Sequence, residues 1–522
     1  MKILLISLFS HMPHHVATEL ELLQRHIDED DDVSVLGCTG FLPACLHKEV
    51  PNPARCRECI TTRSKALHML DRMPSIFSMD AFYTAKDRAR EESLITSFDS
   101  IDAIRDYFID GFDVGYAALS STVFMCRDPH LERQEDRELF ERMIVAAYRS
   151  FCATREFLRI HNDFDRAYVF NGRYATTRGP FRACQQAGVE VHIHERGSNN
   201  SRFMIFENAM PHDLEKMKVR MAKAWDDASE TEREKEGSKF YIERRDRVER
   251  FWHSHTKAQI AGRLPKTWHD DEKNVAIYTS SDDEYVAIAK EWVTPGFKSQ
   301  TDAIVNLHRA LRDRNSKTNL FVRMHPNLKG IDNRDTRTLL ALQGEGIEII
   351  PPESDVCSYS MLDKCDRVVT FGSTIGIEAT YWRKPSILAG MHFYRALGGA
   401  HIATGDEQLL DLVEQEDLPP RPIEAALKFG LYVSNFGQPF KYYKSMNFET
   451  GEFRGTEVKT GMSYSLFGYL VPAITRYFGS RPSFYQSIDR FAYLTCYAPF
   501  RWFYDLATPL RKRIRQTKSF AG

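Results

Sequence analysis

The sequence predicts an α/β protein built of two doubly wound, Rossmann-like domains facing a cleft, the first carrying a helical insertion. Three observations carry this expectation. The chain has 522 residues, too many for one ordinary core at ~100–200 residues per domain. Short, almost unbroken apolar runs recur along it, as in parallel strands buried on both faces. These runs alternate with helical patterns in two separate stretches, as βαβ units do.

Composition narrows the classes further. The chain is 43% hydrophobic and 27% charged, close to the globular average, so whole-chain disorder is excluded. Lys+Arg is 70 against Asp+Glu 72, a formal net charge of -2. Nothing in that balance draws the whole chain to nucleic acid, and no nucleic-acid partner is expected. No apolar run approaches the ~20 residues of a membrane-spanning helix. Ile3–Phe9 is apolar but short, with no small-residue cleavage site behind it. A cytoplasmic location is expected, and there the 10 Cys read as thiols or metal ligands rather than disulfides.

The elements follow in order. Lys2–Phe9 reads as a buried parallel strand. A loop with His11, His14 and His15 comes next, then a helix over about Thr18–Ile27 and a strand at Val33–Leu36. Residues 38–63 break the rhythm with Cys38, Cys45, Cys56 and Cys59, and residues 64–160 read as helical. Strands resume at Arg166–Phe170 and Val189–His194, around a helix at Gly179–Ala187. The charged stretch 213–270 reads as a solvated helical connector between an N-terminal domain, 1–212, and a C-terminal one, 271–430. In the latter, strands are expected at Val275–Tyr278, Leu320–Met324, Ile347–Ile350, Arg367–Phe371 and Pro385–Leu388. Residues 431–522 form a final aromatic and basic segment.

Two motifs in the C-terminal domain suit a phosphate. In Phe371-Gly372-Ser373-Thr374-Ile375-Gly376, an apolar strand runs into small residues and then a helix. Glycine permits close backbone approach, and the helix start offers N–H donors. A plain strand–helix turn with a Ser/Thr cap has the same pattern. Arg323-Met324-His325-Pro326 ends another strand of the same unit, and carboxyl strand ends line the ligand crevice of open α/β sheets. The alternative there is a capped strand end with a surface histidine.

A strand-end His-Pro followed by a Ser/Thr turn resembles the GT-B glycosyltransferases that use CMP-activated sugars, among them bacterial sialyl- and Kdo-transferases. The wider set looks like the bacterial capsule polysaccharide biosynthesis proteins. It comprises Cys38…Cys45…Cys56-x-x-Cys59, Asn171-Gly172-Arg173, His194-Glu195-Arg196-Gly197, Pro211-His212-Asp213 and the Gly372-Ser373-Thr374 turn. This resemblance implies a GT-B fold and transfer of a sugar from a nucleotide-sugar to a glycan or lipid-linked glycan. It implies donor contacts from Arg323, His325, Gly372, Ser373 and Thr374. It also places the catalytic base at Glu195, although the acidic–acidic–Gly pattern has Arg196 in its middle. GT-B enzymes generally neutralise the leaving phosphate with protein groups, so no cofactor is expected to be required for catalysis. A sugar-nucleotide 2-epimerase and a non-catalytic assembly protein at the membrane remain as alternatives.

Four further expectations rest on the residues themselves. A partly buried Glu195 is a general base if burial raises its pKa, and otherwise half of a structural Glu–Arg pair. Arg173 and Arg196 suit a phosphate, a carboxylate or a salt bridge, and His14 an acceptor contact or simple loop filling. Cys38, Cys45, Cys56 and Cys59 end in a C-x2-C knuckle and suit a closed structural zinc, or four separate thiols. Finally, Tyr493, Tyr497, Phe500, Trp502, Phe503 and Tyr504 precede Arg511-Lys512-Arg513-Ile514-Arg515. That combination suits the inner membrane surface, or a packed helix with a basic tail.

Overall fold

A computed structural model describes residues 1–10, 12–249, 256–281, 285, 287–294, 296–447 and 450–458. The expected membrane-contact segment therefore lies outside the described residues. The chain divides into two compact units. The first holds Met1–Cys126, Arg133–Pro211 and the chain from Gly437, and the second Arg127–Glu132 and His212–Phe436. Among the described residues, no helix is long and apolar enough to cross a membrane.

The strands, in chain order, are β1 (Lys2–Ser7), β2 (Asp32–Gly37), β3 (Ser75–Ser78), β4 (Arg166–Phe170), β5 (Glu190–Arg196) and β6 (Arg202–Glu207). There follow β7 (Asn274–Tyr278), β8 (Asn319–Arg323), β9 (Ile347–Ile350), β10 (Arg367–Thr370), β11 (Ser386–Leu388) and β12 (His401–Ile402). The last are β13 (Gln438–Pro439), β14 (Tyr443–Ser445), β15 (Gly451–Phe453) and β16 (Thr456–Glu457).

In the first unit the sheet order is β13-β6-β5-β4-β1-β2-β3. Strands β1 to β5 run parallel, while β6 pairs antiparallel with both neighbours. In the second unit the order is β12-β11-β10-β7-β8-β9, parallel throughout. Each chain path starts mid-sheet, moves outward over three strands, then returns to the other side of its first strand. That is the doubly wound order of a Rossmann-like domain, and the expected fold class holds in both units.

The apolar runs are explained by burial on two sides. In β7, Val275 and Ile277 join a cluster with Ile304 and Leu307 of the helix Gln300–Asp313. The alternating Ala276 and Tyr278 join Met361, Leu362 and Ala379 on the opposite face. A strand covered on both faces cannot alternate apolar and polar residues.

The structure differs from the sequence reading in four places. The first long helix is Pro13–Asp28, so His14 and His15 lie in its first turn rather than in a loop. Proline at the helix start is pre-organised for that position. The Cys-containing stretch is not irregular throughout, because Asn52 caps a helix, Pro53–Leu67, that carries Cys56 and Cys59. The stretch 64–160 contains a short edge strand, β3, beside its helices. Residues 214–245 are not a solvated connector. Their helices Leu214–Asp227 and Glu230–Arg245 pack on Ile423–Asn435 within the second unit. A Cβ on Gly430 would stand 2.1 Å from the carbonyl oxygen of Gly237, so this crossing requires glycine. Many charges on one helix face masked a narrow packed stripe at Gly237, Phe240 and Tyr241.

One buried charge cluster anchors the helices of the first unit. Arg178, 1% exposed, donates through Nε to Asp113 at 2.9 Å, and Arg182 Nε donates to the other carboxylate oxygen at 3.0 Å. The two guanidinium groups hold the Asp113 carboxyl well below the ordinary carboxylate range, against the effect of burial. Removing one partner of a buried pair strands the other. We expect Asp113→Ala to lower unfolding stability by ~3–5 kcal/mol at neutral pH, read by urea denaturation. The wild-type contribution should fade as pH falls below the unfolded aspartate pKa and through the depressed folded one. A loss below ~1 kcal/mol would mean the cluster is not an anchor.

Candidate functional site

In the second unit the strand order reverses between β7 and β10, so the crevice lies beyond Tyr278 and Thr370. Thr279-Ser280-Ser281 leaves β7 there, and Phe371-Gly372-Ser373-Thr374 leaves β10. Gly372 has φ +140, and a Cβ on it would stand 3.0 Å from the Met391 carbonyl oxygen and 3.2 Å from Ser280 Oγ. Only glycine lets the two loops approach this closely. Ser280 is 3% exposed and its hydroxyl has no described partner. The Ser373 hydroxyl, half-buried, accepts a bond from Ile375 N–H at 3.4 Å and keeps its own proton to donate.

His325 follows β8, and its backbone N–H donates to Thr279 Oγ1 at 2.9 Å. Its Nδ1 accepts the Asn327 N–H at 3.2 Å, which places the ring proton on Nε2 as a donor. Gly372, Ser373 and His325 thus stand on loops at the carboxyl end of one sheet. Arg323 and Thr374 are engaged otherwise. Arg323 is buried and donates to the carbonyls of Pro351 and Ser354 at 3.1 and 3.0 Å, pinning the loop after β9. The Thr374 hydroxyl donates to Glu378 at 3.2 Å and accepts from Arg244 at 3.2 Å. Glu378 is buried and also binds Arg244 Nε at 3.0 Å and the Tyr359 hydroxyl at 2.6 Å. Sequence reasoning missed Arg244 because it assigned that helix to a connector.

In the first unit the reversal falls between β1 and β4. His15 packs at a tilt against Phe170, ring centroids 3.9 Å apart, and Phe9 stacks on the same ring at 6.0 Å. Asn171 takes φ 55 and Gly172 φ 78, turning the chain out of β4. Asn171 Nδ2 donates to the Glu195 carboxylate at 2.5 Å, and the other oxygen accepts the Arg196 N–H at 2.9 Å. Burial pushes the Glu195 carboxyl up, more than these bonds and the nearby arginines lower it.

Side chains alternate along a strand, so Glu195 and Arg196 leave β5 on opposite faces. Arg196 lies with His194 and His14, and its guanidinium has no hydrogen bond or ion pair among the described residues. Neither ring nitrogen of the buried His14 has a described partner, and the ring meets Phe440 edge-on at 5.4 Å. Burial, then the charge of Arg196, lowers His14 to about 4, so it is neutral at pH 7. Arg173 is buried over the Tyr174 ring, 4.7 Å from its centroid, and donates to that hydroxyl at 3.2 Å. The structure therefore joins His14 with Arg196, and Glu195 with Asn171.

Cys38, Cys45, Cys56 and Cys59 all line one small cavity beside Leu8 and Phe9 at the end of β1. Among the described residues, the group of possible ligand atoms lying within 4.8 Å of one another is His26, Glu29 and Asp31, not the cysteines.

A second carboxyl escaped the sequence reading. Glu19, 5% exposed, accepts a bond from Ser7 Oγ at 2.8 Å, and burial raises its pKa to about 8. It sits among charged and polar helix residues, and only the fold reveals that its face is covered. A raised folded pKa makes the protonated form the stable one. Its stability contribution is fully present below the unfolded pKa of ~4.3 and is lost as pH rises toward 8. Glu19→Gln should therefore remove part of the fall in melting temperature between pH 5 and 8. Identical pH profiles for wild type and variant would mean Glu19 is ionised in the fold.

The chain matches none of the curated proteins it was compared with. Structural comparison pairs it with the KpsC β-Kdo 2,4-transferase of Thermosulfurimonas dismutans, at 12% identity over 52% of this chain and 79% of that one, TM-score 0.34. It pairs also with the S. aureus MnaA–UDP structure, at 11% identity over 84% and 93%, TM-score 0.28. A third is the UDP-GlcNAc 2-epimerase of Neisseria meningitidis bound to UDP-GlcNAc, at 9% identity over 83% and 97%, TM-score 0.27. With scores this low, the architecture rests on the two strand orders. The family model of the capsule polysaccharide biosynthesis proteins matches residues 281–427. This segment lies inside the second unit and holds His325 and the Gly372-Ser373-Thr374 turn, so over these residues the chain is similar to the capsule polysaccharide biosynthesis proteins.

Proposed function

We propose that the protein is a glycosyltransferase of capsule or other cell-surface polysaccharide assembly, moving a sugar from a nucleotide-sugar to a glycan or lipid-linked glycan. One observation carries this reading. The family match covers the Gly372-Ser373-Thr374 turn at the sheet end where Gly372 lies close against the buried, unpartnered Ser280 hydroxyl. Hydroxyl donors, backbone N–H groups and a histidine N–H around a glycine suit the phosphates of a nucleotide.

In this reading Ser373, Ser280 and His325 Nε2 donate to the departing phosphate oxygens. Glu195 removes the proton from the acceptor hydroxyl as that oxygen attacks the anomeric carbon and the nucleotide leaves, inverting the centre. A carboxyl whose pKa is lifted by burial is better matched to that task near neutrality than an exposed one. The Asn171 amide orients it and holds the charged form. Charge on the leaving group is met by protein donors, so the reaction is expected to run without a divalent metal.

Two measurements test the reading. Ser373→Ala and His325→Ala should each weaken binding of the nucleoside phosphates CMP, UDP or GDP by ~1–3 kcal/mol, the cost of a hydrogen bond to a charged group. Unchanged calorimetric affinity in both would remove the donor site from this turn. Glu195→Gln should cut turnover ~10²–10⁴-fold with nucleotide affinity near wild type. In the wild type, kcat/KM should fall on the acid side as Glu195 is protonated, at a pH above the ordinary carboxylate range. Consumption of UDP-GlcNAc without any acceptor would instead favour an epimerase.

A further inference from the structure

The four cysteines near the start of the chain converge although they come from three separate pieces of backbone. Cys38 follows β2, Cys45 lies in a loop bridged to Lys48, and Cys56 and Cys59 project one turn apart from the helix Pro53–Leu67. All four line a cavity of about 20 Å³. That volume holds roughly one water-sized sphere.

The groups around the sulfurs are hydrogen-bond donors and cations. Gly40 N–H donates to Cys38 Sγ at 3.3 Å, and Ser10 N–H donates to Cys59 Sγ at 3.3 Å. Lys48 is 8% exposed, and its ammonium donates to Cys56 Sγ at 3.0 Å. Among the described residues no carboxylate pairs with it. Arg63, 7% exposed, donates to the carbonyls of Ser7 and Cys38 at 3.1 and 2.9 Å. A buried cation needs a negative partner, and a neutral thiol does not supply one. Four thiolates around a divalent ion carry a net charge of about -2. Lys48 and Arg63 both act on Cys38 and offset that charge, with Arg55 also on the cavity wall and Arg63 shared with the Glu19 carboxyl.

We propose that Cys38, Cys45, Cys56 and Cys59 form a closed tetrahedral site for a structural divalent zinc, with Lys48 and Arg63 as its charge-balancing shell. Binding replaces four S–H protons by four S–Zn bonds and releases the protons to solvent. No three of the sulfurs lie within 4.8 Å of one another, so they close inward on the metal. Three backbone segments move little if the closing comes from rotation about the cysteine Cα–Cβ bonds. Four sulfur ligands leave no open position, so the ion does not activate water or substrate. It braces the mouth of the first unit's crevice, because Leu8 and Phe9 of the β1 loop share the same cavity wall. The proposal stands independently of the transferase reading.

Elemental analysis of the full chain, purified without chelators, should find about one zinc per molecule. The same protein, stripped by mercurial titration and kept reduced, should bind cobalt with the sulfur-to-metal charge-transfer absorption of a thiolate site. Stripping should lower the melting temperature, and added zinc should restore it by mass action. Cys56→Ser should lose the cobalt absorption. Lys48→Met, which leaves every ligand in place, should weaken zinc binding ~10–100-fold. No zinc in the purified protein together with no cobalt absorption in the reduced wild type would overturn the site, whatever the variants do. So would intact mass under native conditions showing these cysteines joined as disulfides.

Discussion

The reversal of strand order beside the first strand of each sheet is the constraint on which the rest of this structure depends. In the second unit, the chain leaving β7 builds the helix Gln300–Asp313 on one face. The chain leaving β10 builds the helix Ile375–Tyr381 on the other. Neighbouring strands whose helices cover opposite faces send their loops apart, and a crevice opens between them. Ser280 and Gly372 meet at its floor, where the loops leaving β7 and β10 start side by side. The first unit repeats the geometry, with Phe9 and His15 on one side and Phe170 and Asn171 on the other. Chemistry-bearing side chains then need only sit one to three residues beyond a strand end.

That dependence explains what the sequence discloses and what it hides. Buried parallel strands are continuous apolar runs, and Arg166–Phe170 and Ile347–Ile350 coincide with β4 and β9 to the residue. Strand ends can then be read directly, and so can His325 and the Gly372 turn. Elements without a buried-strand signature are lost. Strand β3 is a four-residue edge, half covered, embedded in helical patterning. The helix at Glu230–Arg245 hides its packed stripe among charges. Glu19 and Arg244 are opaque for the same reason, since a charged residue declares its burial only after its covering element is placed. The strand order itself comes from nowhere but the fold, because equal apolar runs do not say which neighbour each will choose.

Charge placement follows the same logic at finer scale. Asp113 is buried between two guanidinium groups and stays ionised. Glu19 is buried with a hydroxyl for a partner, and its proton stays on at neutral pH. Glu195 lies between these cases, with an amide, a backbone N–H and more distant arginines opposing its partial burial. An Arg side chain beside it in the acidic motif would silence the carboxylate if both left the strand on one face. Strand alternation prevents this, because Arg196 leaves β5 on the face of His14 and His194, so only its distant charge is felt at Glu195.

The Ser/Thr turn shows how two adjacent hydroxyls acquire different duties. Thr374 precedes the helix Ile375–Tyr381, and its side chain folds back onto Glu378 one turn later. Arg244 closes that arrangement from a helix far away in sequence, so the hydroxyl is already a member of a buried polar network. Such a network is stable only when every member is satisfied, and recruiting Thr374 to a ligand would leave Glu378 with one partner fewer. Ser373 has no such obligation, since it accepts only the long 3.4 Å contact from Ile375. The two hydroxyls are chemically alike, but Thr374 is held in a buried network while Ser373 carries a single long contact. The same division separates Arg323, which fastens a loop through two carbonyls, from His325, whose Nδ1 accepts the Asn327 N–H at the end of β8.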